Sequence, residues 1–141
     1  MPTRSAQAKW DGGLKGTGSF TGQTGLGGQY NFNSRFAEGA GSNPEELLAA
    51  AEAACYSMAL GIGLEKNGTP ATSVETTARC TVEKVGEGFS ITKMQIETRA
   101  TVANLDNDAF QKIAAATKDG CPVSKALKGN VDLQLTATLA S

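Results

Sequence analysis

Two cysteines beside helix signals are the residues of this sequence with the clearest capacity for chemistry. Cys55 lies at the centre of "AEAACYSMALG", and Cys121 follows 66 residues later in "DGCPVSKAL". A cysteine in an apolar helix can be a small core side chain, or it can be a nucleophile once ionised. Cys121 stands at a predicted helix N-terminus, where unpaired N–H groups favour a thiolate.

The absence of histidine limits how such a cysteine can be activated. The chain contains no histidine, which excludes a Cys–His or Ser–His pair within one chain. A zinc site would need cysteines and carboxylates alone, and no Cys-x-x-Cys spacing occurs. The glycines form no phosphate-binding loop, because "GLEKNGTP" lacks the Lys-Ser/Thr step and ends a helix. We therefore predict no metal and no cofactor, and another group must stabilise any reactive thiolate.

Three further residues have both an ordinary and a functional interpretation. Cys80 alternates with Ala78 and Val82, which favours the core face of a strand. Glu45 lies in the first turn of a predicted helix, where the dipole favours a carboxylate in any case. Arg35 is either a solvated strand residue or, being next to apolar Phe36, part of a pocket wall.

Composition narrows the class of protein. The 141 residues carry a net charge of −1, and they suit one domain spanning 1–141. No basic block is present, which argues against a nucleic-acid partner. No run of 18 apolar residues predicts a membrane span, and "MPTRSAQAKWDGG" has no signal-peptide core. These features favour the cytoplasm, where thiols stay reduced.

The N-terminal half predicts strands followed by one long helix. Polar and apolar residues alternate loosely in three segments, 5–11, 16–23 and 28–36. Glycines mark the turns, and this pattern predicts an antiparallel meander. "SNPEE" then predicts a helix start, with asparagine as the N-cap, proline at N1 and glutamate at N3. The helix runs to about Lys66 and is placed centrally because many of its residues are small. Its predicted stripe comprises Leu47, Ala51, Cys55, Met58 and Ile62.

The C-terminal half predicts a hairpin, two helices and a last strand. "SVETTARCTVEKV" and "FSITKMQIETRATV" read as long strands joined at "GEG". A helix is expected from Asp106 to about Lys118, with Phe110, Ile113 and Ala114 inside, and another begins with Cys121 as N-cap. "NVDLQLTATLA" alternates as a strand. The order β-β-β-α-β-β-α-α-β is an α+β pattern with mostly antiparallel pairing.

Three segments together resemble the OsmC/Ohr family of thiol peroxidases (osmotically inducible protein C and organic hydroperoxide resistance protein). They are "NSRF", "SNPEELLAAAEAACYSMAL" and "DGCPVSKAL". The resemblance covers essentially the whole chain. The position of the arginine in "NSRF", after the opening strands, is closer to the OsmC branch than to the Ohr branch. It implies an OsmC-like fold, with sheets wrapped around long central helices in an intertwined homodimer whose sites lie at the interface. It also implies organic hydroperoxide substrates, regeneration by dithiols such as lipoyl groups, and a role in oxidative and osmotic stress defence.

The resemblance also assigns the site residues. It implies that Cys55 is the peroxidatic cysteine, Cys121 the resolving cysteine, Arg35 the active-site arginine and Glu45 its partner. The chemistry agrees, since a thiol with a pKa near 8.5 is only about 3% ionised at pH 7 and a cation would favour the thiolate. Glu45 is expected to hold the guanidinium through two parallel hydrogen bonds. Cys121 would then condense with the sulfenic acid formed on Cys55 to give a disulfide.

Helix geometry separates Glu45 from Cys55 within one chain. Ten helical residues span about 15 Å and leave the two positions roughly 80° apart around the axis. We therefore expect the Glu45 that completes each site to come from the partner subunit of a dimer. Two alternatives stay open: a redox sensor or binding protein that uses the same disulfide without rapid turnover, and a structural protein with inert cysteines.

Overall fold

A computed structural model describes residues 1–141 as two compact units, Met1–Glu46 and Leu47–Ser141. The single domain expected from the sequence stays a prediction. The architecture is α+β, as predicted, with two three-stranded sheets. The elements in chain order are β1 (Ala6–Asp11), β2 (Thr17–Gly22), β3 (Gly27–Tyr30), α1 (Phe32–Phe36), α2 (Pro44–Lys66), β4 (Ala71–Val85), β5 (Gly88–Val102), α3 (Asn107–Gly120), α4 (Pro122–Leu127) and β6 (Asp132–Ala140).

The first unit contains the predicted antiparallel meander, in the order β1-β2-β3. Aromatic side chains pack on it, with the ring of Tyr30 centred 5.4 Å from Trp10 and 6.1 Å from Phe20. Gly18 makes room for this packing, because a Cβ there would lie 2.6 Å from the Tyr30 ring and 2.7 Å from Trp10. The aromatic rings of this sheet can therefore pack together only because residue 18 has no side chain.

The predicted strand over 28–36 is wrong in its second half. The strand ends at Tyr30, and Phe32–Phe36 forms the short helix α1. Asn31 caps this helix, since its Oδ1 accepts from the Ser34 N–H at 2.9 Å and its own N–H donates to Ser34 Oγ at 2.9 Å. This reciprocal capping box overrides the weak alternation of the segment. Arg35 consequently lies on a helix rather than on a strand.

The long helix α2 begins and ends where the sequence predicts. Asn43 is its N-cap, with Oδ1 accepting from the Glu46 N–H at 2.7 Å. After Lys66 the chain turns at Gly68, whose φ of +81° is a left-handed conformation that suits glycine. By length and composition alone α2 could cross a membrane, a test that core helices of soluble proteins also pass.

The inner face of α2 differs from the predicted stripe. Met58 and Ile62 are 71% and 40% exposed in the single chain. The side chains that α2 buries within the second unit recur every four residues instead: Glu52, Tyr56, Leu60 and Leu64. Alanine and glycine occur on every side of this helix, so a pattern built on small residues does not identify its inner face. The large side chains determine which face of α2 is buried. The apolar side chains Met58 and Ile62, on another face, are left exposed.

The second unit packs its helices on a sheet with the strand order β4-β5-β6. β4 and β5 form the predicted antiparallel hairpin, and Gly86 in its turn has a φ of +62°. β6 pairs parallel to β5, so α3 and α4 lie within the crossover between them. The buried apolar side chains of this core are Tyr56, Leu60, Leu64, Met94, Ile96, Ala100, Val102, Phe110 and Ala114.

The helices α3 and α4 meet at Cys121. Asp106 caps α3 by accepting from the Ala109 N–H at 2.8 Å, and Gly120 is the last residue of the helix. Cys121 is the N-cap of α4 and Pro122 is its first residue, as predicted. The expected inner residues Phe110 and Ala114 of α3 are buried, whereas Ile113 is only half-buried. The junction between the two helices thus turns the Cys121 side chain towards the core.

Candidate functional site

Cys55 and Cys121 are brought into contact within the second unit. Their Sγ atoms lie 2.8 Å apart, which is longer than the roughly 2.05 Å of a disulfide bond, and both are free thiols. Cys55 projects from the middle of α2 and is half-buried, while Cys121 at the start of α4 is only 1% exposed. The two sulfurs can therefore be joined with little movement of either helix.

A buried carboxyl group adjoins the two thiols. Glu52 lies one turn before Cys55 on α2 and is fully buried. Its Oε1 accepts from the Ser124 hydroxyl at 2.5 Å and from the Cys121 thiol at 3.8 Å. Its Oε2 is buried without a hydrogen-bond partner. We refer to Glu52, Cys55, Cys121 and Ser124 as the thiol cluster.

Glu52 and Ser124 were not predicted from the sequence. The signal for Glu52 was a carboxyl residue four positions before Tyr56, on the face that α2 turns inward. That face was not identified, so Glu52 had no special place in the pattern. The signal for Ser124 was weaker, since a serine in the first turn of a short helix is common for local reasons.

The surroundings of Cys55 within its own chain favour the neutral thiol. Burial is the largest influence, and it raises the pKa of Cys55 above its ordinary value. The contact with Cys121 and the negative charges of Cys121 and Glu52 also raise this pKa. Only the backbone N–H of Val123 lowers it, and none of these influences is a positive charge. The thiol cluster lacks the cation that a reactive thiolate needs at neutral pH.

Arg35 and Glu45 form an ion pair within the first unit. Nε and Nη2 of Arg35 each lie 3.0 Å from Oε1 of Glu45. The expected parallel bonds to two oxygens are therefore wrong, because both nitrogens share one oxygen and Oε2 is buried without a partner. The Glu45 side chain is 6% exposed and that of Arg35 is 35% exposed. The guanidinium of the pair is therefore partly exposed to solvent, whereas the carboxylate is buried.

Local hydrogen bonds hold α1 against the start of α2. Asn43 Nδ2 donates to the Ser34 carbonyl at 3.0 Å, and Ser34 Oγ donates to the Ser42 carbonyl at 2.8 Å. Ser34 is buried, so these bonds are shielded from water. They fix the helix that carries Arg35 relative to the turn that carries Glu45.

Arg35 also lines an open cleft in the first unit. The cleft holds about 370 Å³, and most of its side chains are aromatic or aliphatic. The Arg35 guanidinium carbon lies 5.0 Å from the centre of the Phe36 ring, within the range of a cation–π contact. The apolar residues of this aromatic cleft are Trp10, Leu14, Tyr30, Phe32 and Phe36. Of the two interpretations of Arg35, the structure favours the pocket wall.

The four predicted site residues thus form two pairs, one in each unit. Cys80 belongs to neither pair, since it packs against the core from β4 and is opposite Met94 of β5. No cluster of three or more histidine, cysteine, aspartate or glutamate side chains could hold a metal ion.

Comparison with known proteins identifies relatives that match almost the full length of this chain. The profile of the OsmC-like protein family matches residues 37–136. The chain is 42% identical to peroxiredoxin OsmC of Escherichia coli over 133 residues, which is 92% of this chain and 93% of that protein. It is 33% identical to organic hydroperoxide resistance protein OhrB of Bacillus subtilis over 96 residues, covering 67% of this chain and 68% of that one.

Solved structures of the same group share the fold. The crystal structure of OhrB from Bacillus subtilis superimposes with a TM-score of 0.70 at 29% identity, covering 95% of this chain and 98% of that one. An organic hydroperoxide resistance protein OsmC from Legionella pneumophila gives a TM-score of 0.69 at 26% identity, covering 95% and 96% of the two chains.

Proposed function

We propose, from the premise that this chain belongs to the OsmC-like family and is a thiol peroxidase, that it reduces organic hydroperoxides by a two-cysteine cycle. In this cycle Cys55 attacks the peroxide and Cys121 resolves the product. The observation that carries the proposal is the 2.8 Å contact between the two sulfurs. This chemistry requires neither a metal ion nor a histidine.

The cycle balances in three steps. The Cys55 thiolate attacks one peroxide oxygen, the O–O bond breaks, and the departing alkoxide takes up a proton to become an alcohol. Cys55 is left as a sulfenic acid, which the Cys121 thiol converts to a disulfide with release of water. A dithiol then reduces the disulfide by thiol exchange and is itself oxidised to a cyclic disulfide. We propose a lipoyl-type dithiol for this last step.

The cation for Cys55 is proposed to be Arg35. The influences within the thiol cluster leave the pKa of Cys55 raised, so an added positive charge is required. Arg35 is held by Glu45 with its guanidinium partly exposed, which makes it available to a thiol. An arginine within about 4–6 Å would lower the pKa of a thiol by favouring its charged form.

We propose that this arginine reaches Cys55 from a second copy of the chain. Glu45 and Cys55 lie on one continuous helix, and ten helical residues separate them by about 15 Å along its axis. The outward face of α2 carries Met58 and Ile62, large apolar side chains that a partner subunit would cover. The active unit in this proposal is a homodimer with its sites at the interface.

The proposed substrates carry an organic group. The aromatic cleft beside Arg35 offers about 370 Å³ lined largely by apolar side chains. An alkyl or aryl group would bury apolar surface there, whereas hydrogen peroxide has no such group. We therefore propose that hydrogen peroxide is the poorer substrate. We also propose that the protein acts in the cytoplasm in oxidative or osmotic stress defence, without a nucleic-acid or membrane partner.

Steady-state turnover tests this function. The rates of reduction of cumene hydroperoxide and of hydrogen peroxide are compared, with dihydrolipoamide as the reductant. Sustained turnover that favours cumene hydroperoxide supports the proposal, and peptide mapping after one equivalent of peroxide should find a Cys55–Cys121 disulfide. A single oxidation without turnover would support a redox sensor instead. A dominant Cys55–Cys80 disulfide would contradict the assignment of Cys121.

A further inference from the structure

Glu52 is a buried carboxyl group that has no assigned part in the proposed two-cysteine cycle. It is fully buried, and its two hydrogen-bond donors are neutral groups, the Ser124 hydroxyl and the Cys121 thiol. The core around it is otherwise largely apolar, with Tyr56 and Leu60 following it along the same face of α2. Burying a carboxyl group without a cation costs free energy, and apolar residues of similar volume often replace such groups with no loss of stability. This arrangement calls for a chemical role.

We propose that Glu52 is the proton carrier of the resolving step. Its Oε1 already accepts the hydrogen bond of the Cys121 thiol, at 3.8 Å, while the Cys121 sulfur faces Cys55 at 2.8 Å. The proton donor, its acceptor and the Cys55 sulfur that becomes the electrophile on oxidation are therefore already in contact in the reduced protein. The inference rests on the proposed two-cysteine cycle and assigns one further catalytic residue to it.

The step balances with Glu52 as carrier. As the Cys121 sulfur attacks the sulfur of the Cys55 sulfenic acid, the Cys121 thiol proton passes to the Glu52 carboxylate. The S–S bond forms while the S–O bond breaks, and the oxygen leaves with the bonding electron pair as hydroxide. Glu52 then gives its proton to this hydroxide, which becomes water, and the carboxylate is restored. Cys121 is oxidised, Cys55 is reduced from sulfenic acid to disulfide, and no other reactant is needed.

Ser124 holds the carboxylate in the position this step requires. It lies three residues after Cys121, so both side chains fall on one side of α4 and donate to the same oxygen. The Ser124 bond, at 2.5 Å, fixes Oε1 beside the thiol. Oε2 has no partner among the protein atoms and stays available to a proton. Ser124 is thus a positioning residue, whereas Glu52 touches the reacting thiol.

Rapid-quench mass spectrometry of Glu52→Gln tests the proposal. Fully reduced protein is mixed with one equivalent of cumene hydroperoxide, and the Cys55 sulfenic acid, trapped with dimedone, is counted against the disulfide over time. Consumption of peroxide should be unchanged or modestly faster, because Glu52 raises the pKa of Cys55. Disulfide formation should slow at least about tenfold, since general acid–base catalysis typically contributes about 10²- to 10⁴-fold. Disulfide formation at the wild-type rate would overturn the proposal.

Two controls separate proton transfer from a general disturbance. Ser57→Ala removes another polar contact of α2, the 2.7 Å bond to Thr76, and should leave disulfide formation unchanged. In a Cys121→Ser background, Glu52→Gln should lower neither peroxide consumption nor dimedone labelling, because the thiol that Glu52 serves is absent; a modest gain in peroxide consumption would reflect the loss of the Glu52 charge beside Cys55. A loss of either rate in that background would show that Glu52 acts through the structure of Cys55 and would overturn the proposal.

A second variant covers the case in which Glu52→Gln does not fold. Glu52→Asp keeps a carboxylate but shortens the side chain by one methylene, which moves the base away from the Cys121 thiol. Disulfide formation should be slower than in the wild type, but the decrease should be smaller than that expected from complete loss of the base. Disulfide formation at the wild-type rate would overturn the proposal. Wild-type protein that forms no Cys55–Cys121 disulfide would instead contradict the proposed function, so the two failures are distinguishable.

Discussion

The thiol cluster and the Arg35–Glu45 pair differ in the kind of chemistry that each can perform alone. The thiol cluster holds two sulfurs 2.8 Å apart, but every charge that influences Cys55 there is negative. The Arg35–Glu45 pair holds a cation on a buried carboxylate and lines an apolar cleft, but neither residue is a nucleophile for a peroxide. In the proposed cycle, the thiol cluster supplies the nucleophile and the Arg35–Glu45 pair supplies the cation that activates it.

The two regions of this peroxidase are held in place by different sets of contacts. The Arg35–Glu45 pair depends on capping and hydrogen bonds around α1, whereas the thiol cluster depends on the core beneath α2, α3 and α4. Substitutions in one region should therefore leave the fold of the other intact. This independence makes it possible to remove one contribution at a time and to measure what each supplies.

The largest effect is expected from removing the nucleophile. Cys55→Ser should abolish peroxide consumption, because a serine hydroxyl is not appreciably ionised at neutral pH and does not attack the O–O bond. The measurement is loss of cumene hydroperoxide with and without a dithiol. Cys80→Ser, a change of the same chemistry in β4, is the matched control and should retain activity. Measurable turnover by Cys55→Ser would break the assignment of the nucleophile.

The next effect concerns the cation. Arg35→Ala should return Cys55 to the raised pKa that its own surroundings impose, so the thiolate fraction at pH 7 falls. A nearby opposite charge shifts a pKa by about 1–3 units, so the rate at pH 7 should fall by about 10- to 1,000-fold. The rate should recover as the pH rises towards the higher pKa, because the reactive form is the deprotonated one. The measurement is the pH dependence of thiolate absorbance and of the peroxide reaction.

Arg35→Lys sharpens this prediction. An ammonium group keeps the charge but cannot bring two nitrogens to Oε1 of Glu45, as Arg35 does. Its rate should fall between those of the wild type and Arg35→Ala. Identical titration of Cys55 in the wild type and in Arg35→Ala would show that Arg35 does not activate this thiol.

A smaller effect on the first turnover is expected from Cys121→Ser. This variant should still reduce one equivalent of peroxide, because the nucleophile is retained. The sulfenic acid then lacks its internal partner, so repeated exposure should convert Cys55 to sulfinic acid. Mass spectrometry after one and after ten equivalents of peroxide would show this change. Full multiple turnover with a dithiol and no over-oxidation would indicate that Cys121 is not needed for resolution.

The smallest effect should come from the core beneath the thiols. Tyr56 donates from its hydroxyl to the Ala114 carbonyl at 2.9 Å and so joins α2 to α3. Tyr56→Phe would leave that buried carbonyl without this donor, which costs about 1–3 kcal/mol in the free energy of unfolding. Urea unfolding would measure it. No change in stability would mean that the bond contributes little to holding the thiol cluster in place.

The sequence predicted the elements better than it predicted their faces. The predicted N-cap Asn43 gave the start of α2, and the helix start expected at Asp106 agrees with the cap that the structure has there, because capping is local chemistry. The helix α1 was missed because five residues are too few to show a helical period. The inner face of α2 was missed because alanines surround it, and which face is buried depends on the sheet packed against it.

The candidate site divides in the same way. Cys55, Cys121, Arg35 and Glu45 could be proposed from the sequence because their segments resemble those of a known family. The contact of Glu52 with Cys121 joins residues 69 positions apart, and no local pattern in the sequence encodes it. The sharing of one Glu45 oxygen by two Arg35 nitrogens is likewise a matter of side-chain geometry that residue types do not specify.

Subunit mixing tests most directly whether the two regions act together across a dimer. Glu45→Ala and Cys55→Ser chains carrying different affinity tags are co-expressed, and the heterodimer is purified through both tags. If Arg35 and Glu45 of one chain activate Cys55 of the other, the heterodimer has one complete site and should regain about half the wild-type activity per dimer. Activity no higher than that of the mutant homodimers, or full activity in a wild-type monomer, would contradict the shared site.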